Sequence, residues 1–207
     1  MKIKVCGMRD GENIRQVSCL GIDYMGLIFY GRSPRAVSGS PSYLPSGIKL
    51  TGVFVDASYG DICDRVKEFG LSAVQLHGDE TPGFCREIKS LGVEVIKGVR
   101  VAQVSDFEVA ALYEGACDYL LFDTACSGYG GSGKRFDWGL LADYSGSVPF
   151  FLSGGIVLES VTDILSFRHP QFAGIDINSG FEKAPAVKDA AKVKEFINSL
   201  KIKDNGE

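Results

Sequence analysis

Residues 73–99 read AVQLHGDETPGFCREIKSLGVEVIKGV. Two short runs rich in apolar and β-branched residues, AVQLH (73–77) and VEVIKGV (93–99), flank a segment with a helical start and stop. Thr81 and Pro82 read as an N-cap and first helical residue: a threonine oxygen can satisfy an orphan amide, and proline has none to leave unpaired. FCREIKSL (84–91) carries the helix, and Gly92 suits its left-handed end. A strand, a crossover helix and a second strand in so short a stretch make a βαβ unit, which joins parallel strands.

The same unit recurs on both sides. IKVC (3–6), YMGLIFY (24–30) and LTGVFV (50–55) precede it, and YLLFDT (119–124), PFFLSGG (149–155) and AGIDINSG (173–180) follow, giving eight runs. Near-continuous apolar character marks strands covered on both faces. Between them, Glu12–Leu20, Asp61–Phe69, Asp106–Tyr113 and Glu159–Phe167 show helical spacing. Pro185 is expected to open the last helix, with Val187, Val193, Phe196, Ile197 and Leu200 as its apolar stripe. The second crossover, SGSPSYLPSG (38–47), carries two prolines and is expected to be a loop or a single turn. Eight strands alternating with crossovers predict an α/β fold, a (β/α)8 TIM barrel in a single domain over residues 1–207, with a degenerate second crossover helix.

The 207 residues are 45% hydrophobic, and the formal net charge is −4. No overall positive field is available for nucleic acid or an anionic membrane, so neither is expected as a partner. The opening MKIKVCGM is too short and mixed for a signal peptide, and no apolar run has the length of a membrane span, so a cytoplasmic location is expected. Six scattered cysteines lack zinc or thioredoxin-type spacing and are expected to be mostly small core residues.

Barrel enzymes carry their chemistry at the C-terminal strand ends. Those ends hold Cys6; Arg32 and Arg35; Asp56; Gln75 and His77; Lys97 and Arg100; Asp123; Ser153-Gly154-Gly155; and Asp176 followed by Asn178-Ser179-Gly180. Gly154, Gly155, Ser179 and Gly180 follow strands seven and eight, where backbone amides commonly cradle phosphate; as isolated motifs they could also be ordinary turns. YGGSGKRFDW (129–138) lacks the spacing of a nucleotide P-loop, and Arg135 stands where serine or threonine belongs. Its glycine-rich part, Gly130, Gly131, Ser132 and Gly133, is expected to be a mobile loop over the mouth.

KVCGM, FYGRSPR, GVFVD, VQLHGDE, LLFDT, YGGSGKRFDW, FFLSGGI and GIDINSGFE, in this order, resemble the phosphoribosylanthranilate isomerase family of tryptophan biosynthesis. The resemblance spans essentially the whole chain. It implies a cofactor-independent isomerase of the aldose–ketose type, acting on a phosphorylated small molecule with no metal. Cys6 matches the family's general base and Asp123 its general acid. Arg35 matches the partner of the anthranilate carboxylate, and Asp176 a residue near the ribose. His77 matches the LHG histidine that lines or orders the site. By residue type alone, Cys6 could be an inert core thiol, Asp123 or Asp176 a backbone cap, and His77 structural; the strand-end positions of Cys6 and Asp123 favour catalysis. Which of Cys6 and Asp123 is acid and which base is not written in the sequence. PAVKD (185–189) departs from the family's frequent PGKKD, with Ala186 and Val187 for glycine and lysine.

Indole-glycerol-phosphate synthase would need a lysine–glutamate pair at strand ends, and the histidine-pathway isomerases paired aspartates at strands one and five. Cysteine at strand one fits neither. A non-catalytic phosphate-binding barrel would have no need of Cys6 with Asp123. Monomer and homodimer both remain open.

Overall fold

The computed structural model describes residues 1–124 and 138–204. Eight parallel strands close into a barrel in chain order. They are β1 (Lys2–Val5), β2 (Tyr24–Ile28), β3 (Lys49–Phe54), β4 (Ala73–Leu76), β5 (Glu94–Val101), β6 (Tyr119–Thr124), β7 (Phe150–Leu152) and β8 (Phe172–Ile177). The ring closes where β8 pairs with β1, in register from Lys2 opposite Gly174 to Val5 opposite Ile177. The helices α1 (Gly11–Ser18), α2 (Tyr59–Phe69), α3 (Pro82–Lys89), α4 (Asp106–Ala111), α5 (Val161–Ser166) and α6 (Ala190–Asp204) accompany the strands.

Local chemistry explains the helix ends. Asp10, Ser58 and Thr81 each accept a backbone amide as N-caps of α1, α2 and α3, and Gly70 closes α2 at a left-handed φ of 60°. Residues 29–48 run as turns and bends, as the two prolines predicted. This segment packs beside α1, where a Cβ on Gly11 would strike Ser42.

Alternation along each strand separates two apolar layers. Val74, Val95, Leu120, Phe122, Phe150 and Leu152 belong to the main core shared with the helices. Their neighbours Ala73, Ile96, Leu121 and Phe151 join Tyr24 in a separate buried cluster on the inner face of the barrel. At the N-terminal end, Tyr24 and Lys49 both engage Glu94, and Lys2 donates to the Tyr119 hydroxyl.

Pro185 does not open the last helix. Glu182–Ala184 (β9) and Val187–Lys188 (β10) form a small antiparallel hairpin, and α6 begins only at Ala190. Pro185 sits in the hairpin turn beside Ala186, whose φ of 66° lies in the left-handed region that glycine occupies without strain. Val187 is therefore exposed, whereas Val193, Phe196, Ile197 and Leu200 are buried as expected. No helix among the described residues is long and apolar enough to cross a membrane.

Candidate active site

Cys6 follows β1 and is buried. A Cβ on Gly26 of β2 would lie 2.7 Å from its Sγ, so the glycine makes room for the thiol. Two residues earlier on the same face of β1, Lys4 is fully buried and donates to Asp176 Oδ1 of β8 at 2.9 Å. Lys188 Nζ, from the hairpin, donates to Asn178 Oδ1 at 2.9 Å and Glu182 Oε1 at 2.6 Å. Burial pushes the Cys6 thiol above its ordinary range; Lys4 and Lys188 oppose that shift and Asp176 adds to it. The positive neighbours that a thiolate needs are thus in place, but burial outweighs them.

Asp176 is also raised, first by burial, with Lys4 and His77 pulling it down and Asp123 pushing it up. Its charge therefore couples both to Lys4, next to Cys6, and to the His77–Asp123 pair. His77 Nε2 lies 3.5 Å from Asp123 Oδ2, and Gln75 Nε2 lies 2.9 Å from His77 Nδ1. A Cβ on Gly98 of β5 would come within 2.6 Å of His77 Nδ1, so that glycine, too, serves a neighbouring side chain.

Arg35 enters from the loop after β2. Its guanidinium donates to Glu182 through Nε (2.9 and 3.1 Å) and Nη2 (2.8 Å). A Cβ on Gly7, at φ 75°, would meet Arg35 Cδ at 2.8 Å and Asn178 Oδ1 at 2.7 Å, so the arginine stem crosses directly over the exit of β1. Arg32 is exposed.

Gly154 and Gly155 take left-handed φ values of 83° and 64° after β7. Ser179 and Gly180 lie in a 3₁₀ turn after β8, and a Cβ on Gly180 would strike the Ile156 carbonyl at 2.3 Å. The two turns are thus packed against each other. Gly130, Gly131, Ser132 and Gly133, with Lys134 and Arg135, lie outside the described residues, as does Cys126.

One strand-end group does not reach the mouth. Lys97 shares its strand face with Val95 and Val99, which pack into the core under the helices, so it points outward from β5. Its Nζ donates to the Gly78 and Gly98 carbonyls, each at 2.8 Å, and sits 3.2 Å from Glu80 Oε2. Glu80 in turn accepts the Asp56 and Gly78 amides. The HGDE turn is a lock that holds His77 at the end of β4. Of the other thiols, Cys85 and Cys117 are core residues pushed up by burial to about 11 and about 12, while Cys19 is exposed.

A sequence profile described as N-(5'-phosphoribosyl)anthranilate (PRA) isomerase matches residues 3–199. The chain belongs to the phosphoribosylanthranilate isomerase family. A relative named N-(5'-phosphoribosyl)anthranilate isomerase, from Phocaeicola vulgatus, is 56% identical over 98% of this chain and 99% of its own. The solved phosphoribosyl anthranilate isomerase of Thermotoga maritima superposes with a TM-score of 0.85 at 35% identity, covering 97% of this chain and 98% of that one. A third, 32% identical with a TM-score of 0.82 over 97% and 98%, is a phosphoribosyl anthranilate isomerase in complex with reduced 1-(o-carboxyphenylamino)-1-deoxyribulose 5-phosphate.

For this isomerase the structure gathers Cys6, Arg35, His77, Asp123 and Asp176 at one end of the barrel, with Gly154, Gly155, Ser179 and Gly180 in the turns after β7 and β8. Sequence reading passed over Lys4, Glu182 and Lys188 as members of the site. Lys4 had a legible signal, a charge inside a buried strand two residues before Cys6. Glu182 and Lys188 stand within the quoted GIDINSGFE and PAVKD segments, but their meeting depends on the hairpin and was not legible there.

Proposed function

We propose that this chain catalyses the Amadori rearrangement of N-(5'-phosphoribosyl)anthranilate to 1-(2-carboxyphenylamino)-1-deoxyribulose 5-phosphate. The observation that carries the proposal is the placement of Cys6 and Asp123 at the ends of β1 and β6, around one mouth, in a chain of this family. Asp123 donates a proton to the furanose ring oxygen, and the bond from that oxygen to C1 breaks to give a Schiff base with the anthranilate nitrogen. Cys6, as thiolate, takes the proton from C2; the electron pair left behind forms the C1–C2 double bond of an enolamine, which tautomerises to the ketone. The substrate nitrogen is the electron sink, and the reaction is assigned no metal or organic cofactor.

Lys4 and Lys188 supply the positive field that a thiolate beside them requires. Asp176, held by Lys4, is assigned to the ribose hydroxyls, and His77 orders Asp123. Arg35 receives the anthranilate carboxylate, a planar anion that suits a guanidinium. The phosphate lies against Gly154, Gly155, Ser179 and Gly180, where left-handed glycines and the turn after β8 bring amides close. A cytoplasmic setting is part of the proposal. The test is a fluorescence assay following disappearance of phosphoribosylanthranilate made in situ. Saturable, enzyme-dependent loss of signal is expected, and its absence with folded protein would refute the assignment.

A further inference from the structure

The hairpin after β8 has a use that its size conceals. Its register sets Lys188 opposite Glu182, and α1 anchors it: Asn13 Nδ2 donates to the Lys188 carbonyl and the Lys188 amide to Asn13 Oδ1, both at 2.8 Å. Glu182 is consequently held from several sides. Its Oε1 accepts from Lys188 Nζ at 2.6 Å and from the Ala186 amide at 3.1 Å, and both oxygens receive Arg35. The Glu182 side chain is 5% exposed and that of Arg35 is 13% exposed, so this pair is shielded and geometrically constrained.

We propose that Glu182 is a positioning residue that orients the Arg35 guanidinium for the carboxylate on the aromatic ring of the substrate, and so sets specificity for a carboxylated ring. A guanidinium has two carboxylate-binding edges. Glu182 occupies the edge formed by Nε and Nη2, which directs the remaining donors, on Nη1 and the second Nη2 hydrogen, to one direction. Without that pairing the guanidinium can rotate about its stem, and a bidentate grip on a ligand carries the entropy of ordering it. Burial raises the Glu182 carboxyl, but the hydrogen bonds and charges of Arg35 and Lys188 outweigh it and hold the group below its ordinary range, so it remains ionised at neutral pH.

This inference rests on the assignment of Arg35 to the substrate carboxylate, and the experiment separates the two. The quantity measured is the ratio of kcat/KM for phosphoribosylanthranilate to that for the carboxylate-free N-(5-phosphoribosyl)aniline, each made in situ. Glu182→Gln is expected to lower this ratio about tenfold, the worth of a charge-assisted hydrogen bond. A general structural loss would slow both substrates and leave the ratio alone. Glu182→Asp, which keeps the negative charge but shortens the reach to Arg35, is expected to lower the ratio in the same direction and serves if the glutamine variant does not fold. Arg35→Met should collapse the ratio, and adding Glu182→Gln to it should change the ratio no further. An unchanged ratio in Arg35→Met overturns the carboxylate assignment. A collapse in Arg35→Met with an unchanged ratio in the folded Glu182 variants overturns the positioning role alone.

Discussion

Cys6 shows how a strand-end residue acquires its chemistry from groups distant in sequence. The thiol follows a strand that carries a buried lysine two residues earlier, feels the charge of a second lysine at position 188, and lies against a space left by Gly26. If Cys6 and Asp123 are base and acid, Cys6→Ala and Asp123→Asn each reduce kcat about 10²–10⁴-fold while leaving the far-UV spectrum unchanged. Near-normal turnover in either purified variant removes that residue from the mechanism. The pH dependence has a definite sign. A base works deprotonated, and burial raises the Cys6 thiol, so the active fraction is small at neutral pH and grows as pH rises. Turnover is therefore expected to rise with pH from neutrality and to keep rising beyond the ordinary free-thiol value of roughly 8.5. A kcat profile already level at pH 6 contradicts a buried thiolate base. That Cys6, Arg35, His77, Asp123 and Asp176 stand at or after strand ends was legible because strand ends are countable in a regular alternating chain; their proposed roles came from the family resemblance. The balance of charges around them was not legible, since Lys4, Asp176 and Lys188 come from opposite ends of the chain.

At the scale of elements, short connections pack tightly around the barrel mouth. The turns after β7 and β8 interlock so closely that a methyl group on Gly180 would meet the Ile156 carbonyl, a backbone atom that cannot swing away. Gly180→Ala is expected to raise KM for the phosphorylated substrate about tenfold or more with a smaller effect on kcat, because the cradle must open to admit the methyl. An unchanged KM would show that these turns do not hold the phosphate. The HGDE turn makes a different prediction. Lys97→Met leaves Glu80 buried without its cation and is expected to cost about 3–5 kcal/mol in denaturant unfolding. Glu80→Gln added to Lys97→Met should recover part of that loss, and strict additivity of the two would deny the coupling. The α3 cap and the helix-poor second crossover were readable from Thr81, Pro82 and the two prolines of residues 38–47. The hairpin was misread as a helix start because Pro185 suits both a first helical turn and a β-turn, and local propensity does not choose between them.

At the scale of the whole molecule, the closed ring couples β1 to β8, so the two ends of the chain share one sheet. If residues 1–207 form one domain, unfolding in urea is expected to be a single transition, with far-UV circular dichroism coinciding with fluorescence of Trp138, the sole tryptophan. Two separated transitions would argue for independently stable parts.

The sequence by itself determined the alternation of buried strands and crossovers, the barrel that follows from it, and the list of polar groups at the strand ends. Those properties are local or periodic, and hydrophobic spacing records them directly. Only the tertiary structure decided that Lys97 faces the helices, that Lys4 and Lys188 flank one thiol, and that Glu182 grips Arg35 across a hairpin. Those outcomes depend on which face a strand turns inward and on contacts between residues far apart in sequence, such as Lys4 with Asp176, 172 positions away. Such pairings are settled by barrel closure and the burial of charge; a local pattern can mark Lys4 as a charge within a buried strand but does not name its partner.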